Sequence, residues 1–137
     1  MINVCIADNF PVVHFGMKAY FKDHSEISIV SNVGNFFMIP DALRNKEIDV
    51  LILDLDLDGL NSIYEVKSII KNFPKTKVII FSSLSEHIYA PNAIKAGCAG
   101  YVHKTSKLEN LGTTIVKVNN GQLILNDEIK KNLALIA

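Results

Sequence analysis

Several short apolar runs in this sequence are followed by residues that could do chemistry. Asp8 and Asn9 follow the run INVCIA, and Asp54 follows VLIL. Ser82 follows VIIF, and Lys104 comes just after GYV. Two carboxylates brought to one crevice would suit a hard divalent cation, Mg²⁺ in particular. Asp54 is the natural nucleophile toward a phosphoryl donor, because the cation, the Lys104 ammonium and the Ser82 hydroxyl would neutralise charge on the transferring oxygens.

Some of these polar residues also have ordinary structural explanations. Lys104 could be a solvated lysine, and Ser82 could be a plain hydroxyl at the end of a strand. The place of Lys104 immediately beyond the last apolar run favours a phosphate contact instead. Polar roles at the surface or in the core are predicted for the four histidines, which show no metal-ligand spacing: His14, His24, His87 and His103.

The stretch DLDLDGLNSIYE, from Asp54 to Glu65, matches the calcium-binding loop of an EF-hand. An EF-hand loop must leave a helix, whereas Ile48 to Leu53 is an apolar, β-branched run, and this argues against calcium. The DxD spacing also resembles haloacid-dehalogenase phosphatases, which use a nucleophilic aspartate on a similar sheet. That motif belongs after an early strand and with a large downstream domain, so this enzyme class is disfavoured too.

Five short β-branched runs predict the strands that would position these residues: Ile2 to Ala7, Ile27 to Val33, Val50 to Leu53, Lys77 to Phe81 and Gly100 to Val102. The runs before Asp54 and Ser82 are apolar on both faces, which is typical of a parallel sheet covered by helices on both sides. Ligands of such sheets bind at the carboxyl ends of the strands. We therefore predict a doubly wound α/β fold with the polar residues at one edge.

Segments with helical spacing alternate with these strands. The first helix carries an apolar face of Val13, Met17, Tyr20 and Phe21. The third carries Ile63, Val66, Ile69, Ile70 and Phe73, and the fifth carries Leu108, Leu111, Ile115 and Val118 and ends near Gly121.

The fourth helix and the carboxyl terminus carry distinct start and stop signals. Gly97 is a plausible C-cap of the fourth helix. Pro91 fits only the first turn of a helix, so we expect the fourth helix to start late, near Tyr89 or Ala90, and to be short. An extra C-terminal helix is predicted from Asp127 to Leu135, because Asn126 or Asp127 can cap it.

Composition and charge set limits on the class of protein. The 137 residues match one α/β domain, and 49% hydrophobic with 20% charged residues is a globular balance without a membrane-spanning run. Lys and Arg total 14 against 14 Asp and Glu, so no basic field attracts nucleic acid to this chain. Cys5 and Cys98 are expected to be buried fillers of a reduced protein. We expect a soluble, cytoplasmic chain.

From Ile2 to about Gly121 the sequence resembles the receiver (CheY-like) domain of bacterial two-component response regulators. The family has an acidic pair after strand one, an acceptor aspartate after strand three, a hydroxyl residue after strand four and a lysine after strand five. This chain offers Asp8, Asp54, Ser82 and Lys104 in that order. The phrases IADNFPVVHFGMKAYF, KAGCAGYVHKTS and VNNGQLIL are similar to the LuxR/NarL-type subfamily.

The resemblance implies a flavodoxin-like (βα)5 sandwich whose Asp54 is phosphorylated by a sensor histidine kinase. It implies Mg²⁺ as cofactor, with ligands from Asp8, Asn9, Asp54 and Asp56. It also implies a switch formed by Ser82 and Tyr101, although a half-buried strand tyrosine is ordinary in itself. Beyond self-catalysed phosphorylation and dephosphorylation of the aspartate, no enzyme activity is implied.

The resemblance also implies a division of the chain and a set of partners. Residues 1–121 would form the receiver, and residues 122–137 a linker or helix. A helix-turn-helix domain that regulates transcription would lie outside this chain, which itself would bind no DNA and no membrane. Homodimerisation is expected through the face of helix four, strand five and helix five, here roughly Ile88 to Asn120.

Asn9 is the main departure from the family pattern, because the family usually has a second acidic residue there. Its carbonyl oxygen can still ligate, so weaker Mg²⁺ binding and slower phosphorylation are expected rather than loss of function. Two function classes stay open: a phosphorylation switch, and a phosphorylation-independent pseudo-receiver that acts as an interaction or dimerisation module. Retention of Asp54, Ser82 and Lys104 favours the switch.

Overall fold

The computed structural model describes residues 1–124 and contains a parallel sheet. Its strands are β1 Ile2–Ala7, β2 Ile27–Val33, β3 Val50–Leu53, β4 Lys77–Ser82 and β5 Gly100–His103. They lie in the order β2-β1-β3-β4-β5. The first three strands coincide with the predicted runs, and β4 and β5 each extend one residue further. The sheet therefore has the predicted strands and the predicted parallel arrangement.

Helices cover both faces of the sheet. Their bounds are α1 Pro11–Phe21, α2 Ile39–Asn45, α3 Ile63–Asn72, α4 Glu86–Lys95 and α5 Leu108–Asn119, and a 3₁₀ turn at Phe36–Met38 precedes α2. Residues of α1 and α5 pack against one face, and residues of α2, α3 and α4 against the other. The doubly wound, flavodoxin-like prediction is confirmed. No helix within residues 1–124 is long and apolar enough to cross a membrane.

All four residues of β3 are buried because both faces of the sheet are covered. Leu51 and Leu53 pack with the cluster under α2, α3 and α4, whereas Val50 and Ile52 pack with the cluster under α1 and α5. This alternation is the two-residue period of a strand, and burial on both sides explains why the run is apolar throughout. The strand that carries Asp54 at its end is thus anchored in two cores.

The apolar face of α1 is smaller than its spacing predicts. Met17 and Phe21 are buried, and Val13 packs partly buried against the same cluster. Tyr20 is 47% exposed, so it does not join the core. Its ring instead meets the Phe21 ring edge to face, with the centroids 4.9 Å apart.

α4 begins at Glu86, so the prediction of a late start near Tyr89 or Ala90 is wrong, and the helix has ten residues. Pro91 lies inside the helix, where its ring has no N–H to donate and costs on the order of 3 kcal/mol. Ala90 and Ala93 are both fully buried against the sheet. The helix forms around the proline because its packed face outweighs the local preference.

Gly97 ends α4 as predicted. Its φ of 108° lies in the left-handed region, which glycine adopts without a Cβ penalty. The Gly97 N–H donates to the Ile94 carbonyl and the Cys98 N–H donates to the Ala93 carbonyl, both at 3.0 Å, which is a Schellman motif. This turn directs the chain into β5 and so determines where Lys104 emerges.

Cys5 and Cys98 are free, buried thiols, as predicted. Burial raises the pKa of the Cys5 thiol to about 11 and the pKa of the Cys98 thiol to about 12. Because the thiolate is the reactive form, both cysteines act as core residues rather than nucleophiles.

The chain returns to the sheet after α5. Gly121 has a φ of 91°, and Ile124 forms an isolated parallel bridge with Gly100, beside the edge of β5. The predicted helix from Asp127 to Leu135 lies outside the described residues. The division at residue 121 therefore stays a prediction.

Candidate functional site

The carboxyl ends of β1, β3, β4 and β5 lie side by side because of the strand order. Asp8 directly follows β1, and Asp54 directly follows β3. Ser82 is the last residue of β4, and Lys104 directly follows β5. Since β3 lies between β1 and β4, Asp54 occupies the centre of the group. The structure brings Asp8, Asp54 and Lys104 into direct contact.

Lys104 joins the two carboxylates. Its Nζ lies 2.7 Å from Oδ2 of Asp8 and 2.8 Å from Oδ2 of Asp54, and its side chain is only 18% exposed. The alternative of a solvated lysine is therefore wrong. Burial by itself lowers the pKa of Lys104, but the hydrogen bonds and charges of Asp54 and Asp8 outweigh burial and raise the pKa above its ordinary value. The ammonium form is stabilised at the centre of the site.

Backbone amides hold the second oxygen of each carboxylate. The Phe10 N–H donates to Oδ1 of Asp8 at 2.9 Å, and the Asp56 N–H donates to Oδ1 of Asp54 at 3.0 Å. Both are contacts with the backbone two positions on, a local pattern that aspartate favours at turns. Each carboxylate thus has one oxygen on an amide and the other on the Lys104 ammonium.

Asn9 pairs with the backbone of the loop between β3 and α3. Its Nδ2 donates to the Asp56 carbonyl at 2.9 Å, and its Oδ1 accepts from the Asp58 N–H at 2.7 Å. The identity of the two partners fixes the orientation of the amide, because a carbonyl can only accept and an N–H can only donate. Both ends of the Asn9 side chain are therefore engaged by one loop.

Ser82 and Tyr101 both bind the backbone of Leu84. The fully buried Ser82 hydroxyl accepts from the Leu84 N–H at 3.1 Å, and the Tyr101 hydroxyl donates to the Leu84 carbonyl at 2.8 Å. Tyr101 is 3% exposed, and burial raises the pKa of its hydroxyl to about 12. The loop between β4 and α4 is thus attached to the site by two neutral hydroxyls.

Two histidines add contacts that the sequence did not indicate. His103 Nδ1 accepts from the Thr105 N–H at 3.2 Å, so its Nε2 carries the proton and donates to the Ser83 carbonyl at 2.9 Å. This bond ties the loop after β5 to the loop after β4. In α1, His14 Nε2 lies 2.8 Å from the Asp8 carbonyl. The strand order makes the His103 contact possible, because β4 and β5 are neighbours, whereas the His14 contact is local and spans six positions.

The oxygens around Asp54 are chemically suited to a divalent cation. Carboxylates from Asp8 and Asp54 and the Asp56 carbonyl are donors of the kind that Mg²⁺ takes. In this structure they accept from nitrogen donors, namely Lys104 on the carboxylates and Asn9 on the carbonyl. Within residues 1–124, no three or more His, Cys, Asp or Glu side chains are grouped to hold a metal. A divalent cation at this site would therefore need the Asp56 carbonyl as a ligand in addition to the carboxylates of Asp8 and Asp54.

The structure contradicts the EF-hand alternative. An EF-hand loop runs from one helix to another, whereas Asp54 follows β3 at the end of a parallel sheet. The haloacid-dehalogenase pattern fits no better, because Asp54 follows the third strand of the chain and not an early one.

A curated protein is similar to this chain in sequence. The Fimbriae Z protein of Escherichia coli strain K12 is 29% identical over 126 residues, which are 92% of this chain and 60% of that protein. The chain thus spans about 60% of the length of this curated relative.

Two solved structures of LuxR-family response regulators share the fold. The protein from Aurantimonas sp. superposes with a TM-score of 0.84 at 22% identity, covering 96% of this chain and 94% of that one. A DNA-binding response regulator from Staphylococcus aureus superposes with a TM-score of 0.78 at 26% identity, covering 88% of this chain and 100% of that one.

The strongest comparison is with a family model described as the response regulator receiver domain, which matches residues 4–116. The matched range runs from β1 into α5 and so includes every strand that contributes to the site. The contacts of Lys104 with Asp8 and Asp54 lie within it. A match of this extent shows that the chain belongs to the response regulator receiver family of two-component signalling.

Proposed function

We propose that this chain is the phosphoacceptor receiver of a response regulator, and that a sensor histidine kinase phosphorylates Asp54 with the help of Mg²⁺. The observation that carries the proposal is the Lys104 Nζ, held 2.7 and 2.8 Å from the carboxylates of Asp8 and Asp54. Both carboxylates are buried at the carboxyl edge of the sheet. An ammonium in this place can bind an oxygen of a phosphoryl group added to Asp54.

The transfer itself exchanges one bond for another. An Asp54 carboxylate oxygen attacks the phosphorus of the donor, and the new O–P bond forms while the P–N bond to the kinase histidine breaks. Oδ1 of Asp54 keeps the hydrogen bond from the Asp56 N–H, and Oδ2 becomes the attacking oxygen when Lys104 Nζ releases it. Lys104 then moves its hydrogen bond from Oδ2 to an oxygen of the transferred group.

Charge balance supports a requirement for a divalent cation. Asp8 and Asp54 contribute two negative charges against one positive charge from Lys104, and phosphorylation replaces the single charge of the Asp54 carboxylate with about −1.5 to −2 on the phosphoryl group. Asp8, Asp54 and the Asp56 carbonyl would hold Mg²⁺. When bound, Mg²⁺ would supply positive charge to the phosphoryl oxygens.

The hydroxyls of Ser82 and Tyr101 would pass the change on to the surface. Ser82 lies at the end of the strand next to Asp54, and its O–H can donate to a phosphoryl oxygen. Because Ser82 and Tyr101 both bind Leu84, a shift of either one moves the loop that leads into α4. The expected result is a population shift at the face of α4, β5 and α5.

The wider setting follows from the same proposal. Residues 1–121 would be the receiver and residues 122–137 a connecting segment in a cytoplasmic protein. A helix-turn-helix domain in the full-length protein would bind DNA and regulate transcription, as the DNA-binding LuxR-family neighbour suggests.

Intact-mass analysis tests the proposal directly. The protein is incubated with acetyl phosphate and Mg²⁺, next to an Asp54→Asn variant and a sample without metal. We expect one phosphoryl adduct that requires Mg²⁺ and is missing from the variant. If neither acetyl phosphate nor phosphoramidate gives an adduct, and beryllofluoride leaves the folded protein unchanged, the phosphorylation switch is rejected.

A second candidate function is an interaction module that acts without phosphorylation. The observation in its favour is Asn9, whose amide occupies the Asp56 carbonyl and organises the loop after β3 without a cation. This function predicts partner binding or dimerisation that is unchanged in Asp54→Asn. The switch predicts that this variant loses its response to acetyl phosphate.

A further inference from the structure

The Asn9 side chain links two segments that are distant in sequence. Asn9 follows β1, while its partners Asp56 and Asp58 lie 47 and 49 positions further along the chain. The amide uses its donor on one residue and its acceptor on the other, so the pair of bonds has a single possible orientation. Such a pair fixes direction as well as distance between the end of β1 and the loop.

The loop that Asn9 contacts is held from its other side as well. The Asp58 carbonyl accepts from the Phe36 N–H at 2.7 Å. The Leu57 side chain is 2% exposed and lies in the core between these contacts. Asn9 therefore completes a set of contacts that holds the loop from two neighbouring segments.

Asn9 and a divalent cation would compete for the Asp56 carbonyl oxygen. This oxygen accepts the Asn9 Nδ2 hydrogen bond at 2.9 Å, and it is also the third oxygen of the candidate Mg²⁺ set. A carbonyl oxygen has two lone pairs, but the positively polarised Asn9 N–H would lie beside a cation on the same oxygen and repel it. An aspartate at position 9 would have no hydrogen to offer this carbonyl, so the contact depends on the asparagine.

We propose that Asn9 is a clasp that holds the β3–α3 loop in place without a cation, and that a divalent cation must break the bond between Asn9 and the Asp56 carbonyl in order to bind. Asn9 is thus a positioning residue that competes with the cation and is not one of its ligands. The inference rests on the cation site of the proposed function, but it does not depend on phosphorylation.

The clasp and the ligand role predict opposite effects of one substitution. If Asn9 is a ligand, Asn9→Ala weakens Mg²⁺ binding. If Asn9 is a clasp, the same substitution removes the competing donor and strengthens Mg²⁺ binding by about threefold to tenfold, which corresponds to one net hydrogen bond.

The test is a Mg²⁺ titration of the folded, unphosphorylated chain followed by NMR. Asn3→Ala is the matched control, because Asn3 lies near the amino end of β1, at the opposite end of the sheet from Asn9, and its Nδ2 also donates to a backbone carbonyl, that of Glu47, at 3.0 Å. We expect tighter binding in Asn9→Ala and unchanged binding in Asn3→Ala. Weaker binding in Asn9→Ala, or no binding to either wild type or Asn9→Ala, would overturn the clasp.

The wild-type protein gives a second readout that needs no variant. Without Mg²⁺, the hydrogen-bonded Asn9 Nδ2 proton and the Asp58 amide proton should exchange with solvent more slowly than they do when Mg²⁺ is bound. Adding Mg²⁺ should shift the Asn9 NH₂ signals and speed their exchange as the bond to Asp56 opens. Exchange of these protons that Mg²⁺ does not speed would contradict the clasp even if Asn9→Ala did not fold.

These outcomes are independent of the phosphoryl-transfer test. If Mg²⁺ releases Asn9 but no phosphoryl group is transferred, the clasp is supported and the proposed function is rejected. If the adduct forms on Asp54 but Mg²⁺ does not change the Asn9 signals, the proposed function is supported and the clasp is rejected.

Discussion

Lys104 is the residue on which the charge of the site depends. Its ammonium contacts the carboxylates of Asp8 and Asp54, which are almost completely buried. Buried like charges repel strongly when their counterion is removed, because little solvent screens them. Phe10 and Phe81 place their rings 5.5 and 6.0 Å from the ammonium and add weaker attraction. Lys104 is therefore structural in the resting protein as well as a candidate phosphate ligand.

Replacing Lys104 with methionine should destabilise the domain by about 3 kcal/mol, because two buried carboxylates lose their counterion. The loss should be clearly smaller when Lys104→Met is made in an Asp54→Asn background, since one of the two charges is then absent. Urea unfolding of the four proteins measures both values. Equal losses in the two backgrounds would show that the ion pairs do not couple.

At alkaline pH, the free energy of unfolding should depend on the ionisation of Tyr101 and Lys104. The pKa of Tyr101 is raised from 10.0 to about 12 in the folded state, and that of Lys104 is raised above 10.5. A raised folded-state pKa gives stability that is complete below the unfolded value and is lost as the pH rises toward the folded value. Both residues therefore make the free energy of unfolding fall above about pH 10.

In Tyr101→Phe, the decrease in unfolding free energy between about pH 9 and about pH 11 should be smaller than in the wild type by about 1 kcal/mol. Urea unfolding across this range measures the slope. Tyr64→Phe is the control, because Tyr64 is 78% exposed on α3. A slope that is the same in Tyr101→Phe and in the wild type would mean that Tyr101 does not contribute.

At the scale of elements, the turn after α4 determines where β5 begins. Gly97 and Gly121 both have positive φ, and they follow α4 and α5 respectively. A Cβ on Gly97 would lie 3.2 Å from Ile70 Cγ2 in α3, whereas nothing lies within 4 Å of a Cβ on Gly121. The two glycines thus share a backbone requirement but differ in packing.

Gly121→Ala should cost about 1 kcal/mol, the penalty for a left-handed alanine. Gly97→Ala should cost about 2 kcal/mol or more, because Ile70 must also move. Thermal or urea unfolding gives the two values. Equal costs would mean that α3 and α4 adjust without strain and that only the backbone matters.

At the scale of the whole molecule, both sides of the sheet expose apolar side chains. On α4, Ile88 is 67% exposed and Tyr89 is 41% exposed. On α1, across the sheet, Val12 is 74% exposed. The predicted dimer uses the face that contains α4, so the apolar residues of α4 should enter the interface.

Ile88→Lys should weaken dimerisation by at least about tenfold in the presence of beryllofluoride and Mg²⁺, because a lysine charge would be desolvated at the interface. Val12→Lys is a matched change on the opposite side and should leave dimerisation unaltered. Size-exclusion chromatography with light scattering measures both. If Val12→Lys prevents the dimer and Ile88→Lys does not, the interface lies on α1 and the predicted face is wrong.

The sequence alone determined the strands and the polar residues at their ends. The bounds of β1, β2 and β3 match the predicted runs residue for residue. For β3 the reason is burial on both faces, which makes a strand apolar throughout. Asp8, Asp54 and Lys104 were predictable as a group, because carboxyl ends of parallel strands share one edge. The Gly97 turn was also predictable, because only glycine adopts its backbone conformation readily.

Tertiary structure decided the features that depend on partners distant in sequence. Lys104 reaches Asp54 across 50 positions, and Asn9 reaches the loop after β3 across 47 and 49. Pro91 remains inside α4 because burial of Ala90 and Ala93 outweighs the cost of the missing N–H. In each case the free energy comes from neighbours that the order of strands brings together. A local pattern gives no sign of those neighbours, so it predicts which residues line the site and not which atoms they contact.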